Sequence, residues 1–179
     1  MRTEQNKDKK AQFMSAYEQY ADALFRYCIL RVEDRETALD LVQDTFTKTW
    51  DYMARGNKVD NIKAFLYRSL TNTIIDHYRS RKPVDSLETM NEQDGFDPPA
   101  PREMVEDIID GAQVIEMVRR LGDDYRDAVY LRYVEGLSIR EISDATGVSS
   151  TLVAVRVHRG LAKLRDIFDK MDKKINEKE

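Results

Sequence analysis

The sequence predicts an all-α protein: an N-terminal helical bundle and a C-terminal helix-turn-helix domain, joined by a flexible acidic linker. Three observations carry this expectation. Apolar residues recur at steps of three and four in two separate stretches. Glycine and proline are scarce, with 7 and 4 copies among 179 residues, which disfavours a strand-and-turn architecture. Between the two periodic stretches lies a run crowded with carboxylates and poor in large apolar groups.

The first apolar series is Phe13, Ala16, Tyr17, Tyr20, Ala21, Leu24, Phe25 and Cys28, all on one helical face. The second is Ala38, Leu41, Val42, Thr45, Phe46, Thr49, Trp50 and Met53, with Asp34 placed to cap its start. The third is Ile62, Phe65, Leu66, Ser69, Leu70, Thr73, Ile74, His77 and Tyr78. Asp60 or Asn61 can cap it, and Pro83 stands just past its expected end. Three such helices bury their stripes by packing together, which predicts a compact domain over 10–82.

Residues 83–108 lose the pattern. The run DSLETMNEQDGFDPPAPREMVED holds a Pro-Pro pair and no stripe, so it reads as a tether. Periodicity resumes over 109–170, first at Ile108, Ala112, Ile115, Val118 and Leu121, then at Tyr125, Ala128, Val129 and Arg132. Ser138 and Glu141 stand in the spacing of a capping box, so a helix is expected to begin at Ser138. It should stop near Gly147, with Ser149 or Ser150 capping the next helix. Two helices about a tight turn, the second longer, describe a helix-turn-helix.

Composition excludes several classes. Only 41% of residues are hydrophobic while 35% are charged, which disfavours one large core. The single Cys28 forbids an internal disulfide, and with only His77 and His158 beside it no zinc-type ligand set can form. The N-terminus MRTEQNKDKK lacks the apolar run of a signal peptide, and no stretch approaches a membrane span. A soluble, cytoplasmic protein without membrane insertion is expected. No Gly-rich phosphate loop or nucleophile–base pair is visible, so neither an enzyme nor a cofactor is expected.

The formal net charge of −4 is unusual for a free-standing nucleic-acid binder, yet its distribution is uneven. From Lys63 to Lys82 the basic residues Lys63, Arg68, Arg79, Arg81 and Lys82 face a single acid, Asp76; from Pro83 to Asp110 the acids dominate, with only Arg102 against them. Arg68, Asn72, Ile75 and Arg79 share a helical face away from the apolar stripe and could hold a phosphate backbone and base edges. A solvated polar face is the competing reading. The upstream segment ARGNKVDN (54–61) lacks periodicity and reads as an exposed loop able to accommodate an unstacked base. On the last helix, Val153, Val157, Gly160, Leu161 and Leu164 form the core stripe, and Thr151, Val155, His158, Arg159 and Ala162 fall on the other side. Val155 can meet a thymine methyl or be an inconsequential exposed valine; Arg156, Arg159 and His158 suit phosphate contacts.

Three segments resemble the extracytoplasmic-function (ECF) family of RNA polymerase sigma factors. DLVQDTFTKTW (40–50) is similar to the family's DxVQExF-type helix. AFLYRSLTNTIIDHYRSRK (64–82) is similar to WLYRIAxNxxxDxxR, with Phe65 in place of tryptophan. LGDDYRDAVYLRYVEGLSIREISDATGVSSTLVAVRVHRGLAKL (121–164) resembles LPxxxRxxxxLRxxxGLSYxEIAxxxGxxxGTVxSRxxRAxxxL. The matches follow the family's order over roughly 13–168, which identifies 10–82 as resembling sigma region 2 and 109–170 as resembling region 4.

The resemblance implies a factor that binds core RNA polymerase and directs promoter recognition, promoter melting and transcription initiation. It implies that Asp40, Gln43, Asp44 and Phe46 dock on the polymerase. It implies that Lys63, Arg68, Asn72, Asp76, Arg79, Arg81 and Lys82, with the preceding loop, engage the −10 element. Ser149, Ser150, Thr151, Ala154, Val155, Arg156, His158 and Arg159 fall where the family enters the −35 major groove. The acidic linker matches the segment that threads toward the RNA exit path, and an anti-sigma factor is a possible partner. Two alternatives stay open: a stand-alone helix-turn-helix regulator, and a helical adaptor or antagonist of the polymerase. The family's GTVxSR becomes Thr151-Leu152-Val153-Ala154-Val155-Arg156, so a usual basic contact is Ala154 and a usual serine is Val155. Weaker phosphate anchoring and more apolar readout are expected at the −35 element. Only MDKKINEKE follows the last helix, which predicts no appended regulatory domain.

Overall fold

The computed structural model describes residues 2–32, 34–81 and 111–176, all helices and short connections. The tether at 83–108 lies outside the described residues. No described helix is long and apolar enough to cross a membrane. The helices divide into two compact units, α1–α3 in one and α4–α7, less the last turn of α6, in the other.

In the first unit α1 (Arg2–Val32), α2 (Arg35–Ala54) and α3 (Ile62–Arg81) pack mutually. The Asp34 carboxylate accepts from the Thr37 amide at 2.8 Å, capping α2 as the sequence predicts. Its buried face is Ala38, Leu41, Val42, Thr45, Phe46, Thr49 and Met53, with Trp50 half-buried. Thr45 and Thr49 are wholly buried because each hydroxyl donates to the carbonyl four residues back, to Leu41 and Thr45, at 2.8 Å. Asn61, not Asp60, caps α3: its Oδ1 accepts from the Ala64 amide at 3.0 Å, while Asp60 pairs with Lys58 at 2.9 Å.

Two stripes differ from the periodicity. On α1 the buried residues are Ala16, Leu24, Tyr27, Cys28 and Leu30, whereas Tyr17 is 48% exposed. The helix serves two neighbours at once: Phe13 and Tyr17 meet Phe46 of α2, and Tyr27 meets Tyr67 of α3. On α3, Tyr67 and Thr71 join Leu66, Leu70, Thr73 and Ile74 in the interior. A helix lying against two others buries a wider arc than one stripe describes.

Cys28 is fully buried, and that burial pushes its thiol up to about 12 despite the opposing Arg31 charge. The raised value means that folding retains a proton which the unfolded thiol gives up at about 8.5. This contribution to stability is complete below that pH and is lost as pH rises toward about 12. A thiol reagent at pH 8 is therefore expected to leave Cys28 unmodified in the native chain and to label it fully in denaturant. Rapid native labelling would contradict the packing of α1.

In the second unit α4 (Gly111–Arg119) turns into α5 (Asp123–Val129). The Arg126 guanidinium donates to the carbonyls of Arg119 and Leu121, both at 3.0 Å, and so satisfies the end of α4. α5 continues as a π-helical turn over Tyr130–Val134, closed by the Glu135 amide donating to the Tyr130 carbonyl at 3.1 Å. The widened turn half-buries Arg132, whose guanidinium donates to the Leu137 carbonyl. The predicted capping box starts α6 (Ile139–Thr146): the Glu141 carboxylate accepts from the Ser138 amide at 2.7 Å, and the Ser138 hydroxyl from the Glu141 amide at 3.2 Å. Gly147 ends it with φ of +73°, a left-handed conformation that a Cβ would strain.

α7 (Ser150–Asn176) buries Val153, Val157, Gly160, Leu161 and Leu164, the predicted stripe. Its main partner is α5. Gly160 is the crossing point: a Cβ there would lie 2.5 Å from Val129 Cγ2 and 3.4 Å from the Tyr125 carbonyl oxygen. Lys163 lies over the Tyr125 ring at 5.1 Å and closes the same contact from above.

Candidate nucleic-acid interface

Three surfaces carry the predicted site residues. On α3, Arg68, Asn72, Asp76 and Arg79 are exposed and Ile75 is half-buried. At about 1.5 Å per residue the line from Arg68 to Arg79 runs roughly 16 Å, long enough to follow several phosphates. Lys63 stands apart from it, half-buried with its ammonium 6.0 Å from the Tyr20 ring centroid on α1. The Arg81 side chain and Lys82 lie outside the described residues.

The loop upstream of α3 is exposed as expected, with one exception. Val59 is a buried plug, and the α1 side chain of Gln12 donates to its carbonyl at 3.5 Å. Asn57 donates to the Tyr52 carbonyl at 2.9 Å, and Lys9 to the Met53 carbonyl at 3.1 Å. The loop is thus held at both ends of its span, with its polar tip in solvent. Tyr52 and Phe65, 4.9 Å apart, pair across its base. Phe65 was expected in the core stripe, but it is half-buried and Tyr52 is 41% exposed. Sequence periodicity could not reveal this pair, since the two aromatics sit on different helices.

On α2, Asp40, Gln43 and Asp44 are exposed within little more than one turn. Phe46 differs: it is 4% exposed, held edge-on against Phe13 and tilted against Tyr17. It forms part of the floor of a groove beside the carboxylates. That groove, of about 1000 Å³, runs between α1 and α2, lined in part by Met14, Tyr17, Leu39 and Trp50. Met14 and Leu39 are each 47% exposed, an apolar contribution that the stripe reading missed.

On α7 the first turn is presented by Ser149, whose hydroxyl accepts from the Leu152 amide at 3.3 Å. Ser150, Thr151, His158 and Arg159 are exposed, and Ala154 and Val155 are half-buried. Val155 therefore offers part of its side chain, less than the helical projection suggested. Arg156 is not a free phosphate ligand in this structure: its Nη2 lies 3.1 Å from Asp124 Oδ1 on α5.

The sigma-70 region 2 family matches residues 16–84, and the family described as sigma-70, region 4 matches residues 111–164. The RNA polymerase sigma factor SigZ of Bacillus subtilis is 30% identical over 156 residues, covering 86% of this chain and 85% of its own. The RNA polymerase sigma-E factor of Streptomyces avermitilis is 31% identical, covering 84% and 82%. The ECF RNA polymerase sigma factor SigW of Bacillus subtilis is 26% identical, covering 82% and 83%. Among solved structures, the sigma factor RpoE in complex with the anti-sigma factor NepR from Bartonella quintana aligns with a TM-score of 0.64 at 22% identity. That alignment covers 88% of this chain and 97% of the other. CnrH in complex with the cytosolic domain of CnrY aligns at 0.63 and 21%, covering 94% of both. These two likenesses concern the fold.

Proposed function

Because the chain belongs to the ECF family of RNA polymerase sigma factors, and so acts in transcription initiation, we propose a division of labour between its units. The unit over 10–82 docks on core polymerase through Asp40, Gln43 and Asp44. It holds the −10 element along Arg68, Asn72 and Arg79. The unit over 109–170 reads the −35 duplex with the outer face of α7. The tether over 83–108 allows each to reach its own element. The partners on this reading are core RNA polymerase and promoter DNA, with an anti-sigma factor as a possible antagonist.

The observation that carries it is the exposed line on α3 beside an anchored loop with an aromatic pair at its base. Opened promoter strands need all three parts: cations for the backbone, amides for base edges, and rings on which an unpaired base can stack. A solvated face would need neither the ring pair nor the anchored loop. The net charge of −4 fits this role too, since a factor delivered by polymerase need not bind DNA tightly alone.

Transcription in vitro with purified core polymerase and a genomic promoter library tests the reading. The wild-type chain should direct initiation from a defined promoter set. The double substitution Arg68→Ala/Asn72→Ala is expected to lower open-complex formation, read by permanganate reactivity, by roughly 10- to 100-fold, because Asn72 supplies one base contact at about 1–3 kcal/mol. Binding to core should change less than about threefold. Unaltered strand opening by that variant would refute the α3 assignment, and tight duplex binding without core would favour a stand-alone regulator.

A further inference from the structure

The early turns of α1 reach the end of α2 and grip the loop that follows it. Lys9, Gln12 and Phe13 stand at i, i+3 and i+4, so they share one helical face. Phe13 anchors that face, its ring 5.2 Å from the Trp50 ring on α2. Beside it the half-buried Lys9 ammonium donates to the Met53 carbonyl at 3.1 Å. The same carbonyl accepts from the Gly56 amide at 3.1 Å, which closes the turn out of the helix. α2 has no basic residue in its last turn, and Lys9 brings a cation to that negative end from another helix. Asn57 locks the turn from the loop side through the Tyr52 carbonyl. Gln12 reaches the carbonyl of the buried Val59, while the side chains of Lys58 and Asp60 on either side of it are 88% and 81% exposed. The inner side of the loop is thus held by α1, and its outer side is left for a partner.

We propose that Lys9 is a positioning residue for strand capture: it fixes the turn over 53–57, and through it the loop and the Tyr52 ring that meet an unpaired base. The inference rests on the assignment of α3 and this loop to the −10 element. Tyr52 supplies both a ring, paired with Phe65 at 4.9 Å, and the carbonyl that holds Asn57. A shift of the turn therefore moves the ring and the loop together. A base-capturing surface binds best when it is formed beforehand, since a loop that must order on contact offsets part of the gain. Lys9 touches no DNA on this reading. It acts through the end of α2, so its loss should blunt the recognition of one base and spare the rest of the strand.

The test uses holoenzyme assembled from the full chain and core polymerase, with single-stranded oligonucleotides carrying the −10 sequence of a promoter that the library defines. Each base is removed in turn to leave an abasic site, and the loss of affinity is read by fluorescence anisotropy. For the wild-type chain one position should show a loss well above the rest, marking the base held by the loop. Lys9→Met keeps the apolar stem and removes the donor. It should shrink the loss at that position by about three- to tenfold, the range for one partly exposed hydrogen bond from a charged group. The other positions and binding to core should not change. Lys9→Arg should retain the full loss, because a second cation can serve the same carbonyl. An abasic profile for Lys9→Met identical to wild type, while Arg68→Ala/Asn72→Ala weakens every oligonucleotide, would overturn the proposal and leave the −10 assignment standing. A wild-type profile with no prominent position would overturn it as well, and so would uniform weakening by Lys9→Met at all positions and toward core. If Arg68→Ala/Asn72→Ala binds every oligonucleotide as well as wild type, the −10 assignment fails and the proposal with it.

Discussion

The double charge reversal Asp40→Lys/Asp44→Lys is expected to weaken association with core polymerase by at least about 100-fold, the largest functional effect of any surface change in this chain. The two carboxylates are exposed four residues apart on α2, so they project from adjacent turns on one face of the helix. On the proposed docking, reversal does more than delete attraction: it sets like charges against the cations that would meet these carboxylates, which costs several kcal/mol across an interface. A loss of about 2.7 kcal/mol already corresponds to 100-fold. The substitutions should spare the fold, because the buried stripe of α2 and its Asp34 cap are untouched. Biolayer interferometry with core polymerase, paired with a thermal melt, checks both statements. Affinity within threefold of wild type would show that docking uses another surface.

Replacing Gly160 by alanine should produce the largest stability effect of any one-methyl change. The added Cβ would stand 2.5 Å from Val129 Cγ2, a separation that real side chains do not tolerate. Val129 is 2% exposed and β-branched, so it has little freedom to swing away. Overpacking of this kind costs roughly 1–3 kcal/mol. For a unit of this size that corresponds to about 4–8 °C in Tm per kcal/mol. The resembling family pattern has alanine at this position, so the intolerance is specific to the pairing with Val129. Val129→Ala/Gly160→Ala should therefore recover much of the loss relative to the simple sum of the two single changes. Purely additive melts would mean that the helices re-space and the crossing is not tight.

Both predictions rest on surfaces of different legibility. The α7 stripe, the Asp34 cap, the Ser138–Glu141 box and the Gly147 stop were all readable, because each depends on residues within four positions of one another. The exposed line of Arg68, Asn72 and Arg79 followed from the same arithmetic. Phe46 lies deeper than its motif position could tell, because Phe13 and Tyr17 cover it from another helix, while it still lines the groove between α1 and α2. The choice between Asp60 and Asn61 was settled by where α3 begins: Ile62 is its first residue, so Asn61 stands at the cap and accepts from the Ala64 amide.

By itself, then, the sequence determined the helices, their caps, the buried faces of α2 and α7, and the family. Only the tertiary structure decided that α3 buries Tyr67 and Thr71, that α1 turns its face between two neighbours, and that Arg156 belongs to Asp124. The reason is range. Helical period and capping are set by bonds between near neighbours in the chain, whereas depth and charge pairing depend on where two helices distant in sequence cross.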